Sequence, residues 1–481
     1  MIPNWLAKRA ALTPDHQAIS FEGRTRTYQE LYTEALAQAG RLRTAGLAEG
    51  SRAALLGGTS SDMAVLIHAC LLAGVEMVML NARLTAEEIA YQLSDSAADL
   101  LLYEDPFDAM TVSSPCGKLR YSAFTALPSE PVSPAAEWDE DRTLTIMYTS
   151  GTTGFPKGVR QTAGNHTASA VSAVLNGGLE PGDAWLHMMP LFHISGFSIL
   201  ARAVLYGTEV RLFRKFDAAG AADEICSGRV TGMSAVAVTL ERLLHELDTS
   251  GRTVPKTFRT LLAGGGPVPV SYLERARDLG LPVMQTYGMT ETSSQTATLS
   301  ASEALRKIGS SGKPLFFADI RIDGAEQPFE KGEILIRGPH VTSGYIGRHA
   351  ETSALQDGWL HSGDIGYFDG EGFLFVSDRR SDLIISGGEN IYPAEIEAVL
   401  ASHPAVREAG VCAMASDEWG AVPAAFITAA SPVTADELEA YCRSRLAAYK
   451  VPRTFRMISE MPRNASNKLM RSRLRELLDG Q

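Results

Sequence analysis

The stretch Leu144-Thr-Ile-Met-Tyr-Thr-Ser-Gly-Thr-Thr-Gly-Phe-Pro-Lys-Gly158 joins an apolar, strand-like run, Leu144–Met147, to a segment crowded with glycines and hydroxyls. A helical pattern follows from near Asn165. Gly151 and Gly154 let the backbone turn tightly and aim successive amides at one anion. Thr149, Ser150, Thr152 and Thr153 add donors, and Lys157 adds charge. The combination predicts a polyphosphate cradle. It is not a Walker A loop, because Lys157 lies between Pro156 and Gly158 and no G-x-x-x-x-G-K-[ST] spacing fits.

Outward from this loop, helical and strand-like patterns alternate. Thr27-Tyr-Gln-Glu30, Thr85-Ala-Glu-Glu88 and Thr434-Ala-Asp-Glu437 are capping boxes, each marking a helix start. The apolar window Met63–Leu80 contains His68 and Glu76, and Gly74 splits it. It predicts a buried helix followed by a strand, since a central acid opposes membrane insertion by roughly 2.5–3.5 kcal/mol. Alternation of this kind predicts layered α/β structure with mainly parallel sheet in the N-terminal part. Pro128–Asp141, rich in proline, serine and acid, is expected to be a surface loop.

The 481 residues carry 44 Lys+Arg against 56 Asp+Glu, a net charge of −12. That excludes a generic nucleic-acid binder, whose footprint is basic. The hydrophobic content of 45% excludes a disordered chain. The cysteines Cys70, Cys116, Cys226, Cys412 and Cys442 are scattered and form no CxxC, which argues against a disulfide framework or structural zinc. The N-terminus meets Lys8 and Arg9 before any long apolar run and does not resemble a signal peptide. A cytoplasmic protein without membrane insertion is expected, and a homo-oligomer is compatible with the sequence. The boundary between two domains is placed near residue 380. Residues 1–380 would form the large domain. Residues 381–481 would form a compact C-terminal one of about 100 residues, with a Gly-Gly loop and a Pro393-initiated helix.

The cradle resembles the phosphate-binding signature of the adenylate-forming superfamily of acyl- and aryl-CoA ligases, luciferases and adenylation domains. Further motifs of that superfamily occur in order: Ala263-Gly-Gly-Gly-Pro267, Tyr287-Gly-Met-Thr-Glu-Thr292, Ser362-Gly-Asp364, Asp378-Arg-Arg380, Ile385-Ser-Gly-Gly-Glu-Asn-Ile391 and Asn467-Lys-Leu469. The resemblance implies a large N-terminal domain of layered α/β subdomains with a small β-barrel-like subdomain, and a small mobile α+β domain after it. It implies ATP and coenzyme A as substrates, Mg²⁺ as metal, and a carboxylic acid joined to the thiol through an acyl-adenylate.

Site roles follow from the same resemblance. ATP would be held by Thr149, Ser150, Gly151, Thr152, Thr153, Gly154 and Lys157. The glycines Gly264, Gly265 and Gly266 would lie against the base, with Tyr287 and Gly288 beside them. Asp364 and Arg379 would take the ribose, a diol suited to two carboxylate oxygens. Thr290 would contact the α-phosphate, and Glu291 would hold the metal as a hard oxygen ligand. His193, in Pro190-Leu-Phe-His-Ile-Ser-Gly196, would sit beside the reacting carboxylate. Lys468 would be the catalytic lysine delivered by the small domain, and Gly387 and Gly388 would face the pantetheine of CoA. Two departures stand out: Asn467 precedes Lys468 where glycine is more usual, and Ser381 occupies the hinge position.

Within the superfamily, the run from Asp378 to Glu397 is most similar to ligases of the aromatic keto-diacid o-succinylbenzoate. The distal carboxylate of such a substrate needs a polar partner, for which Ser195, Arg202, Ser234, Ser293 and Ser294 are candidates. The alternatives are another aryl- or acyl-CoA ligase, a stand-alone adenylating enzyme, or a non-catalytic nucleotide-binding protein. Intact Glu291 and Lys468 argue against the last.

Overall fold

The central strand of the opening stretch, Thr143–Thr149, is buried over most of its length. After Pro156 the chain returns antiparallel as Lys157–Thr162 and only then enters the helix Ala163–Gly177. A second strand thus stands where the sequence suggested a loop leading straight into a helix. Its Lys-Gly-Val-Arg-Gln-Thr composition has no apolar alternation to announce it. Pairing with the first strand forms it, reinforced by the Thr145 hydroxyl donating to Gln161 Oε1 at 2.7 Å. This computed structural model describes residues 1–481 except 112, 150–154, 267, 379–382, 463–468 and 480–481.

Those two strands belong to a seven-stranded sheet: Tyr345–Ile346 pairs antiparallel with Lys157–Thr162 at the edge, and beyond Thr143–Thr149 the sheet continues in parallel through Glu76–Met79, Arg52–Leu56, Leu100–Tyr103 and Gly117–Arg120. A nine-stranded sheet lies beside it, parallel at its centre and antiparallel at both edges. The helix Ser61–Ala73, predicted from the apolar window, is buried almost all round. Such a helix needs no amphipathic stripe. Burial pushes its His68 down to a pKa of about 4, so the imidazole is neutral. All three capping boxes form, at Thr27/Glu30, Thr85/Glu88 and Thr434/Glu437.

A five-stranded antiparallel sheet spanning Asp319–Asp378 follows, where the small subdomain was expected. The last part of the chain forms another five-stranded sheet, built around the long hairpin Val406–Ser416 and Gly420–Ala429. The helices Pro393–Ala401, Ala435–Arg443 and Arg471–Asp479 belong to this part. Ala447 and Tyr449 reach out of it and join the core of the seven-stranded sheet beside Ile146 and Ile346.

Pro128–Asp141 is not wholly a surface loop. Glu137–Trp138 pairs with Ile2–Pro3, and Trp138 is 2% exposed, its ring 5.2 Å from that of Trp5. Polar neighbours masked this residue, but burying one indole against another outweighs them. Trp138→Ala is expected to cost about 3–5 kcal/mol through the cavity it leaves. This should appear as a lowered urea midpoint of the N-terminal transition, with the C-terminal transition unmoved.

Candidate active site

The two halves of the chain enclose one cavity of about 370 Å³. From the N-terminal part, Thr149, His193, Gly264 and Gly265 line it, with Gly288 and Thr290. From the C-terminal part come Gly387, Gly388, Glu389 and Asn390, with Tyr449 and Lys450. Residues separated by hundreds of positions therefore face one space.

The Gly-Gly loop is tightly confined. Gly387 and Gly388 adopt φ of 57° and 90°, where side chains are strained. A Cβ on Gly387 would lie 2.7 Å from the Trp419 ring, and one on Gly388 3.1 Å from Val236 Cγ1. The loop thus passes between its own domain's indole and a valine of the N-terminal part.

His193 is the N-cap of the helix Ile194–Tyr206, which fixes its position at the cavity wall. Its Nε2 lies 3.1 Å from Glu389 Oε2, and Arg83 donates to Glu389 Oε1 at 2.7 Å. Burial alone would push the Glu389 carboxyl up, but His193, Arg83 and Lys450 together hold it below its ordinary value.

Glu291 lies in a second group. Tyr345 directs its hydroxyl at Glu291 Oε1 across 3.5 Å, and Lys157 Nζ stands 5.1 Å from the centre of the Tyr345 ring. Burial raises the Glu291 pKa despite the pull of Lys157 and Tyr345. A carboxylate so placed is under-neutralised and fits a cation. Among the described residues no three His, Cys, Asp or Glu side chains converge as a closed metal site. One carboxylate is what Mg²⁺ needs when substrate phosphates and water supply the remaining ligands.

Tyr287 is 2% exposed, in a core with Ala297, Ile334 and Ile336, and its hydroxyl donates to Asp364 Oδ2 at 2.8 Å. The two residues are thus brought together, although the lining of the cavity takes in Thr286 and Gly288, on either side of Tyr287, instead. Gly266 faces the C-terminal part, where an added Cβ would lie 3.4 Å from Ile385 Cδ1. Ser150, Gly151, Thr152, Thr153, Gly154, Arg379 and Lys468 lie outside the described residues.

Of the candidates for a distal carboxylate, Ser195, Arg202, Ser234 and Ser294 line the cavity. Ser293 does not: it is fully buried in the left-handed turn that ends the short helix Thr290–Thr292. Arg202 donates to Ser198 O at 3.0 Å and to the Ser198 hydroxyl at 3.2 Å and faces the Trp185 ring, and burial and Tyr206, not a carboxylate, are what act on its charge. With Leu262 and Gln295 it also lines a smaller cavity of about 80 Å³ beyond. Glu389, Arg83 and Lys450 escaped the sequence reading as functional residues. Glu389 could have been found inside the Gly-Gly motif, whereas nothing local marks Arg83 or Lys450.

The chain belongs to the AMP-binding enzyme family: the family's sequence model matches residues 6–346, and that of the AMP-binding enzyme C-terminal domain matches residues 395–468. Within it, the chain falls with the 2-succinylbenzoate–CoA ligases. It is 49% identical to that ligase of Bacillus velezensis over 100% of this chain and 99% of the relative. The o-succinylbenzoate CoA synthetase of Bacillus subtilis is 45% identical, each chain covering 98% of the other. A double mutant of that enzyme with its product analogue OSB-NCoA superposes at a TM-score of 0.94. The same enzyme with the acyl-adenylate intermediate OSB-AMP superposes at 0.77, at equal identity and coverage. This chain thus superposes more closely on the product-analogue complex than on the acyl-adenylate complex.

The Glu389 contacts carry a pH signature. A carboxyl held below 4.5 in the folded chain contributes stability fully present above that value and lost as pH falls through the lowered one. Glu389→Gln, which imitates the protonated group, should therefore melt below the parent at pH 6–7, by about 2–4 °C per kcal/mol lost. The difference should shrink as pH falls below the ordinary carboxylate value of 4.5 and through the lowered one, read by thermal melts across pH.

Proposed function

We propose that this chain ligates o-succinylbenzoate to coenzyme A in two half-reactions, as in menaquinone synthesis. The observation that carries this reading is the shared cavity. Acyl-side residues around His193 and the Gly387–Gly388 loop face one space, in a chain matched over its full length by 2-succinylbenzoate–CoA ligases.

In the first half-reaction a carboxylate oxygen attacks the α-phosphorus of ATP, the bond to pyrophosphate breaks, and the acyl-adenylate forms. Thr149, Ser150, Gly151, Thr152, Thr153, Gly154 and Lys157 would hold the phosphates, mostly through amides and hydroxyls. Gly264, Gly265, Gly266, Tyr287, Gly288, Asp364 and Arg379 would receive the adenosine. Thr290 would contact the α-phosphate, and Glu291 would hold Mg²⁺, which when bound neutralises phosphate charge. Lys468 would stabilise the negative charge building on the phosphorus, where preorganised charge acts most strongly. In the second half-reaction the CoA sulfur, its proton released, attacks the acyl carbon, and AMP leaves with the bonding pair. Gly387 and Gly388 would give pantetheine a passage without side chains, and His193 would border the reacting carbon.

Arg202 is the proposed partner of the distal benzoate carboxylate. Burial lowers its pKa, and a carboxylate would relieve that cost. Of the other cations at the cavity wall, Arg83 is engaged with Glu389, Lys450 with Glu88 and Glu395, and Arg214 with Glu22, while Lys215 is exposed to solvent. No helix of the described residues is long and apolar enough to cross a membrane, which accords with the proposed cytoplasmic location.

The deciding experiment compares kcat/KM for thioester formation across o-succinylbenzoate, benzoates and fatty acids. A preference for o-succinylbenzoate is expected, and a strong preference for a fatty acid would overturn the assignment. Arg202→Met should reduce the preference for o-succinylbenzoate over benzoate on the order of ten- to a hundred-fold. Lys468→Ala should slow acyl-adenylate formation by roughly 10²–10³-fold, while thiolysis of supplied acyl-adenylate survives better. Equal losses in both steps would remove Lys468 from its half-reaction-specific role.

A further inference from the structure

Lys450 is 4% exposed, a rare condition for a lysine. Its ammonium donates to Glu395 Oε1 at 2.7 Å and to Glu88 Oε1 at 2.7 Å. Glu395 begins the helix Pro393–Ala401, so this contact stays within the C-terminal part. Glu88 comes from the helix Ala86–Asp95 on the seven-stranded sheet, 362 positions away in sequence. The site is sealed by Ala447 and Tyr449, which insert into that sheet's core. Burial would push Lys450 down, but Glu395, Tyr449 and Glu88 outweigh it, and the ammonium stays charged.

Glu88 uses both oxygens. Oε2 accepts from the Thr85 amide at 2.8 Å and completes the capping box, leaving Oε1 for Lys450. Glutamine, with one acceptor oxygen, can serve the cap or the lysine but not both. The Lys450–Glu395 pair can persist however the halves are placed, whereas Lys450–Glu88 exists only where they meet as they do here.

We propose that Glu88 is a positioning residue for thioester formation: through Lys450 it latches the C-terminal part in the arrangement that brings Gly387 and Gly388 to the cavity. Glu88 does not line the cavity and carries none of the ATP, acyl and CoA contacts assigned above, whereas Lys450 borders the cavity beside Tyr449. It rests on the two-half-reaction reading, because a latch for one arrangement favours only the step performed in that arrangement. Once the halves separate, Glu88 returns to being an ordinary capping residue, and adenylation proceeds without it.

The test uses the full chain with Glu88→Gln, which keeps a capping acceptor for Thr85. Single-turnover thiolysis of supplied acyl-adenylate should slow on the order of ten-fold or more, a typical coupling between distant sites. Acyl-adenylate formation should change by less than about two-fold, the difference a merely structural lesion would not produce. In a Lys450→Met background the same substitution should have no further effect on thiolysis, since the two residues act as one unit. Small-angle scattering of the unreacted chain should show Glu88→Gln departing from the docked arrangement that the parent populates. Equal slowing of both steps, unchanged thiolysis, or unchanged scattering would overturn the latch. If the parent forms no thioester from any acid in the panel, the proposed function fails instead, and the scattering comparison still decides the latch.

Discussion

Glu389 binds a guanidinium and an imidazole of the N-terminal part, and these contacts hold the Gly387–Asn390 loop against the cavity. Without Arg83 and His193 on this carboxylate, the loop Gly387–Asn390 has no charged hold on the N-terminal part. The space beside Gly264 and Thr290 would then be an open cleft. The contact is buried on the Glu389 side, so truncating one partner leaves a charge stranded in a dry place. Apolar contact adds adhesion through Ala447 and Tyr449, but the charged pairs fix the register in which the halves meet.

A net charge of −12 is an awkward starting point for holding ATP and CoA. The structure does not answer it with a basic surface. Many of its cations are already committed to carboxylates, as at Arg52–Glu76, Arg211–Glu224 and Lys307–Asp369. Among the described residues, a few cations lie instead without a carboxylate against them at close range, Lys157 over the Tyr345 ring near Glu291 and Arg202 at the cavity wall. In a low-dielectric cavity a few placed charges and amides act more strongly than many solvated ones.

What could be seen in the sequence was what local chemistry dictates. The capping boxes announced their helices because both partners lie within three residues. The window Met63–Leu80 yielded its helix and strand because Gly74 interrupts it. Gly264, Thr290, His193 and Gly387, each legible as part of a superfamily motif, line one cavity. What escaped was set by tertiary partners. Lys157–Thr162 becomes a strand through its neighbour, Trp138 is drawn inward by Trp5, and the links from Glu389 to Arg83 and from Lys450 to Glu88 span 306 and 362 positions. No periodicity encodes such pairs. Ser293 shows the converse limit, since adjacency to the lining residue Ser294 did not bring it to the cavity.

The wall shared by the two cavities is only as thick as the side chains of Arg202, Leu262 and Gln295. The far end of the larger cavity is therefore a partition of side chains and not the sheet itself. A partition of side chains can be lowered one residue at a time without disturbing the sheets behind it, and the reserve volume beyond is already shaped by Trp185 and Tyr206. On the proposed reading of Arg202, the residue that would recognise the distal carboxylate is then also the door between the two spaces.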